Sequence, residues 1–170
     1  MGTGCCCFTG HRKNGFPWKY ARKRSKPHRA YLRALKDAVG TLYEGGCTRF
    51  ISGGAIGADT DFALTVLKLR KRHPDIRLEV AVPCPEQDRK WQKRDKALYR
   101  KILKKADKQT LLSPAYSDTC MKERNRYMVG QADFVLAAWN GIPKGGTYAT
   151  ICIARQSGKK LKILYLNDFL

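Results

Sequence analysis

The sequence is short of acid. It sets 14 Asp and Glu against 34 Lys and Arg, a formal charge of +20. Residues 1–36 contain ten Lys or Arg and no acidic residue. Residues 89–108 contain ten more, opposed by Asp95 and Asp107 alone. Such a field favours anionic partners: a nucleotide-like small molecule, and non-specific nucleic acid through the basic surface. Long apolar runs are also missing. None approaches the ~20 residues of a membrane span, so no membrane partner is expected. No basic segment followed by an apolar core stands at the N-terminus, so no signal peptide is expected and the location is read as cytoplasmic. No Cys-x-x-Cys pair exists among the seven cysteines (Cys5, Cys6, Cys7, Cys47, Cys84, Cys120, Cys152), and their odd number argues against a disulfide framework. Cys5 to Cys7 are consecutive, and consecutive strand residues face opposite ways, so they cannot converge on one zinc. No metal and no cofactor beyond a nucleotide-type ligand is expected. No Ser-His-Asp set and no pair of catalytic carboxylates is present.

The chain is organised around Phe50–Asp61, Phe-Ile-Ser-Gly-Gly-Ala-Ile-Gly-Ala-Asp-Thr-Asp. An apolar run enters it, and a helical pattern (Phe62, Ala63, Val66, Leu67) leaves it. Gly53, Gly54 and Gly57 let the backbone turn and present N–H groups. The helix start adds unpaired donors and a positive dipole end, which together suit phosphate. The spacing is not the dinucleotide fingerprint, and the Walker lysine is absent. A tight turn without ligand has the same composition.

Strand and helix then alternate along the 170 residues, a length that suggests one domain, 1–170. Cys5–Phe8 reads as a strand buried on both faces and ends in Thr9-Gly10-His11-Arg12. Residues 14–27 form a basic, aromatic loop suited either to stacking on a base or to packing its own rings. Arg29–Tyr43 has helical spacing and stops at Gly45-Gly46. The helix after the glycine loop runs to about Arg72. Arg77–Val82 is a strand broken by Pro83-Cys84-Pro85. Asp88 is placed as the cap of a long basic helix carrying Trp91, Leu98, Tyr99, Ile102 and Leu103. Lys108–Leu112 is a short strand, and Asp118 or Thr119 caps a helix through Val129. Phe134–Ala138 is a strand. Lys144-Gly145-Gly146-Thr147 opens a helix through Ala154 that Gly158 caps, and Leu161–Tyr165 is the last strand. The expectation is an α/β Rossmann-like three-layer sandwich, a mostly parallel sheet with helices on both faces. Ligands of such sheets bind beyond the strands' C-terminal ends. The polar and glycine clusters fall at those ends: 9–12, 52–59, 83–87, 113–116 and 139–147.

The second glycine site, Lys144–Thr147, repeats the logic of the first, and Lys144 could meet a phosphate as a point charge. Arg124 shares a helix face with Met128, and a helix that buries Met121 and Met128 buries an arginine cheaply only against an anion. His11 is either a polar contact or a general acid/base. Asp59 is either a helix-start carboxylate favoured by the dipole or a ribose-hydroxyl acceptor.

Together these motifs resemble the SLOG superfamily, and within it the YpsA-like branch. The matching pieces are Phe-Thr-Gly-His-Arg at 8–12, Ser-Gly-Gly-Ala-Ile-Gly-Ala-Asp at 52–59, and Val-Pro-Cys-Pro-Glu-Gln at 82–87 with Trp91. Lys-Glu-Arg-Asn-Arg-Tyr-Met-Val at 122–129 and Lys-Gly-Gly-Thr at 144–147 complete the ordered set. The resemblance implies a Rossmann-like fold that binds nucleotides or ADP-ribose-like derivatives, as binding protein or sensor. Its ligand set would draw on Thr9, Gly10, His11, Arg12, Ser52, Gly53, Gly54, Ala55, Gly57 and Asp59. Pro83, Gln87, Trp91, Arg124, Asn125, Met128, Lys144, Gly145, Gly146 and Thr147 would supply the rest. Wider relatives include LOG phosphoribohydrolases, which cut the base–ribose bond, and DprA, which binds single-stranded DNA. Lys144–Thr147 matches only the phosphate part of the LOG Pro-Gly-Gly-x-Gly-Thr-x-x-Glu motif; Thr150 or Ile151 stands where its glutamate falls. Two alternatives follow: a nucleotide N-glycosidase with Arg124 and Glu86 or Glu123 in catalytic roles, and a single-strand binder using the basic helix. Such relatives often form homodimers, and Trp18 or Trp91 could sit in that interface.

Overall fold

In a computed structural model, which describes residues 3–170, six strands form one all-parallel sheet. In chain order the elements are β1 (Gly4–Gly10), α1 (Lys26–Glu44), β2 (Cys47–Ser52), α2 (Ala58–Arg70), β3 (Arg77–Val82) and α3 (Lys93–Lys105). Then come β4 (Lys108–Leu111), α4 (Cys120–Gln131), β5 (Phe134–Trp139), α5 (Gly145–Gln156) and β6 (Lys160–Tyr165). Short 3-10 turns lie at Lys13–Gly15 and Leu166–Phe169. The strand order is β4-β3-β2-β1-β5-β6. The chain therefore builds outward from β1 to β4, crosses back over the sheet, and continues with β5 on the other side of β1.

Packing follows from the strand period of two. Cys6 and Phe8 face α1 and α2, where Phe8 stacks on Phe62 with ring centroids 4.6 Å apart. Cys5 and Cys7 face the layer of α4 and α5, with Met128, Val129 and Ala154. Helices α1, α2 and α3 cover one face, α4 and α5 the other. The central strands are apolar throughout because both faces are covered. The edge strands β4 and β6 carry Lys108, Gln109, Lys160 and Lys162 on exposed positions, which discourages edge-to-edge pairing. Six of the seven cysteines are buried thiols, and none is disulfide-bonded. Burial pushes the Cys5 thiol up to about 11 and Cys6 and Cys7 well above their ordinary value, which keeps these groups inert.

Two helix starts differ from the sequence reading, and a third is decided between the two residues it offered. The basic helix starts at Lys93, with Gln92 rather than Asp88 at its N-cap. Residues 84–91 instead form successive four-residue turns, closed by Gln87 N–H to Cys84 O (3.3 Å), Arg89 to Glu86 (3.1 Å) and Trp91 to Asp88 (2.9 Å). Helix α1 begins three residues before Arg29, because Ser25 caps it through His28 N (3.4 Å) and Pro27 fits its first turn. Thr119, not Asp118, occupies the N-cap position of α4, but its hydroxyl donates to Glu123 rather than capping the backbone.

The basic N-terminal loop packs its own rings. Phe16 and Tyr20 are buried and meet His28 and Tyr31 on α1. Trp18 donates its indole N–H to His28 Nδ1 (3.2 Å). These aromatics are therefore spent on the core side of the loop, which leaves Lys19, Arg22, Lys23 and Arg24 as its exposed part.

Candidate functional site

The strand order reverses between β1 and β5, and a cavity of about 350 Å³ opens there at the C-terminal ends of the strands. This is where parallel open sheets bind ligands, because the flanking loops diverge to opposite faces. From β1 come Thr9, Gly10, His11 and Arg12; from the glycine loop and α2, Ala55 and Asp59; from α4, Arg124, Asn125 and Met128; from α5, Gly146 and Thr147. Eleven of the sequence-derived residues thus line one space. Phe8, Asn14 and Met121 line it as well, and sequence reasoning did not nominate them. Met121 was within reach: Met121, Arg124, Asn125 and Met128 are i, i+3, i+4 and i+7, one helix face.

The glycine loop is held from inside. Ser52 Oγ donates to Asp59 O (3.1 Å) and accepts from Gly54 N (3.1 Å). Thr60 Oγ1 donates to Ala55 O (3.0 Å), and Asp59 Oδ2 accepts from Ala55 N (3.2 Å). Gly57 is the N-cap of α2 at φ +99°, and a Cβ there would stand 2.7 Å from His11 O and 2.9 Å from Lys13 N. Ala58 N donates to that same His11 carbonyl (3.0 Å). The β1 loop and the glycine loop are therefore pressed together, and only glycine fits between them. Gly53 has a different reason: a Cβ there would overlap the Arg124 guanidinium.

Arg124 is 6 % exposed. Its Nη1 donates to Gly53 O (2.7 Å) and its Nε to Asn125 Oδ1 (2.9 Å). Gln87 Nε2 donates to the same Gly53 carbonyl (3.3 Å) and to Tyr99 OH (3.1 Å), so Gln87 supports the arginine from behind rather than lining the cavity. Nη2 has only the Met121 thioether, at 3.9 Å. No carboxylate forms an ion pair with Arg124 among the described residues. The Asp59 carboxylate, which lines the same cavity, acts on the guanidinium through space without a direct ion pair, and Arg124 itself lines that cavity. Burial pushes its pKa down, though arginine remains protonated at neutral pH.

Asp59 is the one carboxylate of the cavity among the described residues. Burial pushes it up to about 6, against the pull of Arg124, the Ala55 N–H and Arg12. His11 is held as an acceptor: Asn140 N donates to its Nε2 (3.2 Å), and burial lowers its pKa. On the α5 side, Lys144 is the N-cap residue with no side-chain cap bond, Gly145 takes φ +85°, and the first-turn N–H groups of the helix have no capping side chain. Those amides and the positive end of the helix dipole favour a negative charge at Gly146 and Thr147.

Other nominated residues stand elsewhere. Lys144 and Gly145 are exposed at the start of α5 and do not line the cavity. Pro83 is buried behind the site. Trp91 packs edge-on against Tyr99 (5.2 Å). Glu86 is exposed and pairs with Arg89 at 3.4 Å, and Glu123 is exposed and accepts from Thr119 Oγ1 at 3.1 Å. Neither glutamate reaches the cavity lining.

Among known proteins, a family model described as the YspA SLOG family matches residues 6–165. The chain is similar to the SPbeta prophage-derived protein YoqJ of Bacillus subtilis, 33% identical over 109 residues, covering 57% of this chain and 64% of that protein. It is similar to a UPF0398 protein of Bacillus pumilus, 30% identical over 129 residues, covering 72% and 69%. The UPF0398 protein YpsA of Bacillus subtilis is 24% identical over 115 residues, covering 66% and 64%. The chain thus spans just under two thirds of YoqJ and of YpsA. No helix among the described residues is long and apolar enough to cross a membrane.

Proposed function

The chain belongs to the YspA SLOG family, and on that premise we propose that it binds a nucleotide or an ADP-ribose-like derivative, as a binding protein or sensor. The carrying observation is Arg124: a nearly buried guanidinium, unpaired with any carboxylate, facing a cavity that also receives the uncapped start of α5. Phosphate lies on the Gly146 and Thr147 amides with Arg124 beside it, where charge-assisted bonds are strongest. The Ala55–Asp59 side takes the ribose, with the Asp59 carboxylate accepting from a hydroxyl. Met121 and Met128 offer adaptable apolar contact to the remainder. The ligand is small, nucleotide-like and anionic.

Thermal shift with a panel of nucleoside mono- and diphosphates and ADP-ribose tests this. Stabilisation should follow RT ln(1 + [L]/Kd) and vanish in Arg124→Met and Gly146→Asp, with a cooperative melt of each unliganded variant as the check that it folds. If no phosphorylated nucleoside raises the melting temperature, the reading fails.

One observation favours a second reading, an N-glycosidase acting on a nucleotide. Asp59, raised to about 6, is poised near neutrality in the same cavity as Arg124. Free base released from a monophosphate, and lost in Asp59→Asn, would select it.

A further inference from the structure

On the far side of α2 from the cavity, a groove of about 560 Å³ runs along the seam between α1 and α2. Its floor is apolar: Leu32 from α1, Leu64 and Leu69 from α2. Leu64 is 38 % exposed and Leu69 half-buried, whereas Phe62, Ala63, Val66 and Leu67 of the same helix are buried. Both banks are basic. Arg33 and Lys36 stand on α1, Lys68 on α2 and Arg72 just past its end, and none of the four forms an ion pair among the described residues. At one end of the groove lies Asp61, 7 % exposed. Its Oδ1 accepts from Tyr20 OH (2.8 Å), and Lys23 Nζ stands 3.8 Å away, but its Oδ2 is buried with no partner. The buried Tyr31 hydroxyl lies against this carboxylate from inside the fold, so Asp61 closes the end of the groove rather than offering it a ligand group.

We propose that this groove docks an acidic amphipathic helix of a partner protein. Three features select that occupant. A leucine floor rejects nucleic acid, which brings charge but no apolar stripe. Unpaired cations on both banks ask for a segment with Asp or Glu on each side of its apolar stripe. The seam between two packed helices is the ordinary bed for a third, read as anchors at i, i+3, i+4 and i+7. A second copy of this chain is the wrong occupant, because it would bring 34 basic residues against 14 acidic ones. The groove shares no lining residue with the cavity, so this inference stands or falls apart from the ligand reading.

The test uses synthetic peptides of about 18 residues, long enough to hold helix on their own. One carries a leucine stripe flanked by Glu, the other the same stripe flanked by Lys. Fluorescence anisotropy against the full chain should show binding of the Glu peptide and none of the Lys peptide. Leu64→Ala, Leu64→Glu and Lys68→Glu should each weaken it, the charged changes by about tenfold or more. Both positions are exposed, so the variants keep the fold. Absence of Glu-peptide binding overturns the proposal. So does binding that is indifferent to both Leu64 variants, or that an oligothymidylate displaces as readily as unlabelled peptide; either would mark plain polyanion contact.

Discussion

Asp59 and His28 are two buried ionisable groups whose shifts run in opposite senses. Asp59 titrates at about 6 in the folded protein against 3.8 as a free side chain. Its contribution to stability is therefore fully present below about pH 4 and is lost as pH rises through 6, by at most about 3 kcal/mol. His28 is pushed down to about 4 by burial, and its Nδ1 accepts from Trp18. Its contribution is present above about pH 6.5 and is lost as pH falls through 4. The two offset each other in the whole protein, so differences between variants must be read. In urea unfolding from pH 4 to 7, the advantage of Asp59→Asn over the native chain should grow with pH, and that of His28→Gln should shrink. Gly57 gives a sharper result. At φ +99° and 2.7 Å from His11 O, Gly57→Ala should cost about 2 kcal/mol or more by the same measurement.

At the scale of elements, α2 and α5 bring their N-termini to the same cavity from opposite layers, and neither has a side-chain cap. By contrast α1, which has no part in the cavity, is capped by Ser25. Ser25→Ala should destabilise the fold by about 1 kcal/mol and leave any ligand response intact, seen as a lower melting temperature with an unchanged ligand-induced shift. The alternation of elements was legible because apolar runs and helical spacing switch cleanly at glycines. The start of α3 was not: Asp88 is a good cap residue, yet its carbonyl accepts from Trp91 N in a turn and the helix starts only after Gln92. Burial of Arg124 on the face of α4 that meets the cavity was legible from Met121 and Met128 beside it. What the sequence could not carry was which glutamate faces where. Glu86 and Glu123 sit beside motif residues in the chain, yet the turn at 84–91 and the exposed face of α4 turn both toward solvent. Asp59, nominated for ribose, is the carboxylate the cavity receives.

The whole molecule carries +20, and any phosphorylated compound will be drawn to it. Affinity alone therefore says little, since the exposed cations of α3 and of the loop at 19–26 attract anions without a built site. Contacts to those cations weaken steeply with salt, whereas a desolvated phosphate on Arg124 and the α5 amides is screened much less. Place distinguishes the two where strength does not. The direct measurement is the backbone amide NMR spectrum of the protein titrated with a nucleoside monophosphate at about 0.15 M salt, near physiological ionic strength. Shifts concentrated at Ala55, Gly146, Thr147 and the Arg124 side chain, and abolished in Arg124→Met, are the predicted result. Shifts confined to residues 19–26 and 93–105, with the cavity amides unmoved, would contradict a nucleotide site in this cavity.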